Sequence, residues 1–181
     1  MSHETQDGYL AKVMPPIRTK NDVEYVWQSL QKNHINTIGT DHVANQLKLK
    51  LGGDDVWGAL AGFPGIGTSL PILLSEGINK NRITLDQLVN LTSTNVSTIF
   101  GLSDKGNIST GFDADVTLID LKKETKVSPE LFGGFSDYLV YDGWKLKGWP
   151  VKTIVRGTLI AEDFEVVGKP GYGKLVSRSL S

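Results

Sequence analysis

Asn36-Thr37-Ile38-Gly39-Thr40-Asp41-His42 carries a β-favouring run into an Asp-His pair, and a long polar stretch follows it. The pattern predicts a strand over residues 35–40. A carboxylate at the C-terminal end of a buried strand is where barrel enzymes keep reactive groups, because strand ends are rigid while the loops beyond them vary. Asp41 is therefore the candidate reactive residue. The alternative for an isolated aspartate is that it caps a turn or the next helix.

The segments on either side give this strand its context. Upstream, Lys12 to Met14 reads as a short extended piece, and Pro15-Pro16 excludes helix at Met14 and keeps the backbone extended. Asn21 or Asp22 then opens a helix whose apolar face is Val23, Val26, Trp27 and Leu30, ending near Lys32-Asn33. A helix between two extended segments is the αβ alternation of a parallel sheet or barrel. Residues 1–10 show no periodicity and read as a loop or short helix, an unusual start for such a domain.

Downstream, residues 43–53 are irregular and polar, a loop long enough to be functional. Ala61-Gly62-Phe63-Pro64-Gly65-Ile66-Gly67 is rich in glycine and would let backbone approach a ligand closely, but it lacks the lysine of a phosphate loop. Residues 68–77 read as a helix with Pro71 in its first turn. Thr84 is an N-cap for a helix over 85–92, and 93–102 gives another short helix. After Lys105 the character becomes β: 116–121, 125–127 and 153–160 are rich in β-branched residues and are separated by Gly, Asp and Pro turns. Asp113 and Asp115 read as turn carboxylates. Trp144 and Trp149 read as part of a packed loop, and residues 168–181 as a surface tail.

Composition narrows the function classes. The 181 residues are 39% hydrophobic and 22% charged, in the range of ordinary globular chains. The net charge is −1 with Lys and Arg scattered, which argues against a nucleic-acid partner. There is no cysteine, so disulfides and thiolate metal sites are excluded and any metal must sit on His, Asp or Glu. The polar N-terminus MSHETQDGYL has no apolar h-region, and no apolar run approaches the roughly 18 residues of a membrane span. The chain reads as cytoplasmic, and its three Asn-x-Ser/Thr matches then carry no weight.

Taken in order, KVMPPIRTKNDVEYVW, INTIGTDH, AGFPGIGTSLPILLSEG, LVNLTSTNVSTIFGL, KGNISTGFDADVTLIDL, YDGWKLKGWPVKTIVRG and GYGKLVSR make the chain resemble the C-terminal portion of the cyclic amidohydrolases, the group of dihydropyrimidinase (hydantoinase), allantoinase and dihydroorotase. The resemblance implies an α/β fold: residues 1–104 as the C-terminal part of a (β/α)8 barrel, and 105–181 as the C-terminal strands of a composite β-sandwich with its tail. It implies hydrolysis of a cyclic amide C–N bond at a centre of two divalent ions, zinc being expected. On that alignment Asp41 is a metal ligand and the general acid and base, while Met14 and Ala61-Gly62 hold the substrate largely by backbone contacts. Such a centre polarises the amide carbonyl and brings a bridging water towards a pKa of about 7. The expected partners are a small cyclic amide or imide and either further copies of the chain or a complementary N-terminal half.

The departures are informative. Dihydroorotases usually carry Asn before the Pro-Pro and a second His three residues after the Asp-His pair, where this chain has Met14 and Asn45. That argues for a hydantoinase or dihydropyrimidinase. The family's His-x-His, carboxylated lysine and two later metal histidines have no counterpart. His3 and His34 read as solvent-facing, and His42 as support for the site rather than a ligand. The chain alone is thus expected to lack the activity. The alternative implied by the same resemblance is a non-catalytic scaffold of the dihydropyrimidinase-related type.

Overall fold

The computed structural model describes residues 6–53 and 55–178. His3 lies outside them. After a short helix α1 (Gln6–Leu10), the first long element is α2 (Lys20–Gln31). It opens slightly earlier than Asn21, because Thr19 and Asp22 form a capping box: the Thr19 N–H donates to Asp22 Oδ2 at 2.9 Å and the Asp22 N–H donates back to Thr19 Oγ1 at 3.4 Å. Trp27 and Leu30 turn inward from α2 as expected, but Val23 and Val26 on the same helix stay exposed.

The strand expected over residues 35–40 is not formed: residues 34–46 contain no helix or strand. A strand exists only through its ladder, and the Ile38 N–H donates at 3.3 Å to the carbonyl of Leu91, which lies in a helix. Ile35 and Ile38 still pack on the core, so the apolar pattern was read correctly and the ladder was not. Within the stretch expected to be loop, Leu47–Lys50 forms the one-turn helix α3.

Helix α4 (Ile66–Ile72) runs into a π-helical turn, Leu73–Ile78. Pro71 removes one donor from this rod, and the wider register begins two residues on. Thr84 caps α5 (Leu85–Val89) through a capping box with Gln87. A second π turn, Asn90–Thr94, joins α5 directly to α6 (Asn95–Phe100), so two expected helices are one rod. Gly101, in a left-handed conformation with φ of 67°, ends it.

Every strand among the described residues lies beyond residue 115. They are β1 (Val116–Lys126), β2 (Lys145–Val155), β3 (Thr158–Glu162) and β4 (Glu165–Val166), an antiparallel sheet in sequence order. The expected parallel pairing is absent among these residues. Two expected pieces, 116–121 and 125–127, merge into β1, whose register slips between Asp120 and Glu124. The expected strand 153–160 is broken instead by a tight turn with Arg156 at φ 45° and Gly157 at φ 77°, the positive pair that a two-residue hairpin needs. Trp149 corrects another expectation. It belongs to β2 and is only 1% exposed, whereas Trp144 is partly exposed in the turn before it.

Two apolar clusters hold the chain. Leu30, Leu73, Leu74, Ile83, Leu88 and Leu91 pack the helices together, with Leu121 reaching in from β1. Val127, Leu146 and Trp149 form the second, against Ile72, Leu131 and Phe132. Asn79 joins the two, its side-chain amide lying 2.9 Å from the Lys147 carbonyl and 3.3 Å from that of Leu121.

Candidate active site

Of the expected site residues, Ala61 and Gly62 lie on the loop of residues 56–66, and chain neighbours of Met14 and Asp41 bond to the stretch 62–66. Asp41 is exposed and holds φ at 45°, in the left-handed region that Asp and Asn enter more readily than other non-glycine residues. No hydrogen bond or ion pair to its carboxylate is seen among the described residues. Its neighbour His42 faces the loop: Nδ1 accepts from the Gly65 N–H at 3.1 Å and the Ile66 N–H at 3.4 Å. An accepting Nδ1 leaves the ring proton on Nε2. His42 thus anchors the start of α4 beside Asp41, and the Val43 N–H adds a bond to the Phe63 carbonyl at 3.2 Å.

Met14 and Ala61 are both exposed, and Met14 follows the extended piece that begins at Lys12. The two regions are stitched together by the Gly62 N–H donating to the Lys12 carbonyl at 3.0 Å. Gly62 is buried at φ 92°, and a Cβ there would run into the Val43 side chain. Only glycine fits this close approach. Three separate parts of the chain therefore meet here, through Lys12, through His42 and Val43, and through residues 62–65.

Asn45 is turned away from this surface. It is 6% exposed, and its Oδ1 accepts from the Tyr138 hydroxyl at 2.6 Å. Next to Tyr138, Asp137 Oδ1 accepts from the Leu47 N–H at 2.7 Å, so the segment before β2 braces the segment after Asp41. Burial, and then the Asp137 charge, push the Tyr138 hydroxyl up to about 12.

Asp113 and Asp115 are structural, as expected. Both accept from Lys105 Nζ, at 2.7 Å in the case of Asp113, and Asp115 Oδ1 also takes the Arg156 N–H at 2.8 Å. Their hydrogen bonds and charges raise Lys105 above the usual lysine range. His34 is exposed, as expected. Nothing in the residue pattern marks Lys12 and Lys50 as inward-turning. Lys50 is fully buried, and its Nζ donates to the carbonyls of Lys12, Leu60 and Gly62. Carbonyl cages of this kind leave no side-chain pattern to read.

Comparison with known proteins identifies the family. The family model described as "Amidohydrolase family" matches residues 18–160. The chain belongs to the amidohydrolase family. It is 38% identical over 173 residues to an L-hydantoinase of Paenarthrobacter aurescens, covering 94% of this chain and 38% of that protein. A D-hydantoinase of Geobacillus stearothermophilus is 38% identical over 168 residues, covering 91% and 36%. A dihydroorotase of Pyrococcus horikoshii is 37% identical over 167 residues, covering 92% and 38%. Among solved structures, the L-hydantoinase (dihydropyrimidinase) from Arthrobacter aurescens superposes with a TM-score of 0.90 at 37% identity, covering 96% of this chain and 39% of that one. The fold is thus the mixed α/β fold of the hydantoinases, and the chain spans under two fifths of the length of the relatives it matches.

That span bears on the metal centre of an amidohydrolase. Among the described residues no three His, Cys, Asp or Glu side chains come close enough to hold a metal ion. Asp41 offers one carboxylate where two ions need several ligands. The donor set described here does not by itself fit a binuclear centre. No helix among the described residues is long and apolar enough to cross a membrane.

Proposed function

We propose that this chain is the C-terminal portion of a cyclic amidohydrolase of the hydantoinase or dihydropyrimidinase type, opening a ring by hydrolysis of an amide C–N bond. In this reading residues 1–104 complete a (β/α)8 barrel and 105–181 complete a composite β-sandwich, each with an N-terminal half that supplies the remaining strands and metal ligands. Residues 35–40 then become the last barrel strand once a neighbouring strand lies beside them. The observation that carries the reading is the arrangement at residues 56–66, which holds the neighbours of both expected site positions: His42, next to Asp41, accepts from the Gly65 N–H, and Lys12, two residues before Met14, accepts from the Gly62 N–H.

Asp41 is the proton carrier. Water oxygen bonds to the carbonyl carbon and gives a proton to the Asp41 carboxylate. The C–N bond then breaks, and the proton passes to the leaving nitrogen. Backbone groups at Met14 and Ala61 hold the flat imide. Asn45 favours a hydantoin-like ring over a dihydroorotate-like one, since its side chain is committed to Tyr138 and a substrate carboxylate finds no grip there.

The test is complementation. The chain is combined with the N-terminal portion of the L-hydantoinase and zinc, and hydantoin and dihydrouracil hydrolysis are followed. Activity should appear, and Asp41→Asn should lower it by about 100-fold or more. Activity indifferent to Asp41→Asn sinks the catalytic assignment, and assembly without hydrolysis of either ring favours the scaffold alternative. Calorimetry on the isolated chain should show no tight stoichiometric zinc site. Tight binding abolished by Asp41→Ala would contradict the view that the other ligands lie in the N-terminal half.

A further inference from the structure

Lys50 is the one charged side chain that is fully buried among the described residues, and no carboxylate there pairs with it. An isolated buried ammonium is costly, so its surroundings have to replace water. Three backbone carbonyls do this: Lys12 at 2.8 Å, Leu60 at 2.6 Å and Gly62 at 2.6 Å, one for each N–H. The Lys50 carbonyl in turn accepts from the Leu60 N–H at 3.1 Å. Beside it, Lys12 Nζ gathers the carbonyls of Val56 at 2.8 Å, Trp57 at 3.1 Å and Ala59.

Two ammonium groups therefore draw the carbonyls of residues 56, 57, 59, 60 and 62 inward. The Ala61 carbonyl, flanked by the two that Lys50 holds, takes no hydrogen bond among the described residues, and Ala61 is exposed. The same Lys50 nitrogen also holds Lys12, two residues before Met14.

We propose that Lys50 is a positioning residue for substrate. Its ammonium fastens the extended piece at Lys12 to the 60–62 loop, so that the Met14 and Ala61 backbones are held at a fixed separation with the Ala61 carbonyl facing outward for the N–H of a cyclic imide. This rests on the reading under Proposed function, since it assumes that these backbones meet the ring. It adds the element that sets their spacing. A hydrophobic isostere fills the same space but leaves the Leu60 and Gly62 carbonyls without donors and the Lys12 carbonyl with the Gly62 N–H alone.

The experiment has two arms. In the first, amide hydrogen exchange of the 181-residue chain is compared with Lys50→Met and Lys50→Arg. Lys50→Met should speed exchange at Gly62 by about 10-fold or more while leaving the amides of α5 and α6 unchanged, and Lys50→Arg should restore part of the protection. In the second, the zinc-loaded complex with the N-terminal portion is assayed on hydantoin. Lys50→Met should raise KM by about 10-fold with kcat within a few fold, the signature of lost binding that ground state and transition state share. Lys12→Met, which leaves the Lys50 cage in place, should do less and serves if Lys50→Met does not fold. Unchanged Gly62 exchange in Lys50→Met overturns the clamp. KM unchanged while kcat and the melting temperature fall together makes Lys50 merely structural and also overturns it. A wild-type complex that is inactive while Gly62 is well protected refutes the functional reading and, with it, the substrate role of Lys50.

Discussion

Replacing Tyr138 by Phe removes one hydroxyl and tests how the site is braced from behind. Tyr138 is 4% exposed, and its hydroxyl is the donor to Asn45 Oδ1, itself buried. Tyr138→Phe keeps the ring and leaves a buried amide oxygen unpaired, which costs about 1–3 kcal/mol. For a chain of this size that is roughly 2–12 °C in melting temperature. A second signature comes from titration. The folded Tyr138 hydroxyl is raised to about 12 from its usual 10, so the folded state holds its proton where the unfolded chain begins to lose it. The stabilisation is complete below pH 10 and is lost as pH rises towards 12, at most about 3 kcal/mol for two pKa units. Urea unfolding at pH 8 and between pH 10 and 12 measures both. The variant should be weaker at pH 8 and should lose less than wild type on the alkaline side. Asn45→Leu added to Tyr138→Phe should restore part of the loss, because both polar partners are then gone. A Tyr138→Phe loss under about 0.5 kcal/mol together with an unchanged alkaline limb would refute the bracing argument.

Three further outcomes are expected. Gly62→Ala should destabilise by more than about 1 kcal/mol in urea titration, because it combines a positive φ with a collision at Val43. Trp149→Ala, which empties the space between Phe132 and Phe164, should cost about 3–5 kcal/mol by the same measurement, and a loss under about 1 kcal/mol would mean that the second cluster does not hold the sheet to the helices. The exposed Val23, Val26, Leu85 and Val89 should make the isolated chain self-associate, with light scattering that grows with concentration and falls in Val89→Lys. Scattering of a monomer at all concentrations would show that these residues need no cover.

Much of the chain could be read because its signals are local. The capping residues Thr84 and Gln87, the apolar spacing of Trp27 and Leu30, and the β-branched runs after residue 115 all act on near neighbours. Residues 35–40 were misread for the opposite reason. Their composition suits a strand, but a ladder needs a partner, and none lies beside them among the described residues. The merger of α5 and α6 was missed because a π turn has no strong sequence signature. Arg156-Gly157 was a turn signal passed over inside a β-branched run. At the site, Asp41 is marked by its place after a β-favouring run, whereas Met14, Ala61 and Gly62 follow only from the family resemblance. The Lys50 cage and the Asn45–Tyr138 pair join residues up to 93 positions apart through backbone carbonyls and one hydroxyl, and no periodicity records such contacts.

The sequential order of the sheet has a kinetic consequence. Strands β1 to β4 pair only with the strand next along the chain, and the turns at Arg156-Gly157 and Asp163-Phe164 close β2 on β3 and β3 on β4 at little loop entropy. The bonds that brace the site, Asn45 to Tyr138 and Leu47 to Asp137, close loops of about 90 residues and cannot form cheaply at the start. The meander should therefore nucleate folding, with mutations in β2 and β3 such as Ile154→Val slowing refolding, while Tyr138→Phe mainly hastens unfolding. The loop around Asp41 would then be the last region to be shaped during folding and the first to loosen under stress. A protein built this way can lose the shape of the Asp41 loop well before its sheet is lost.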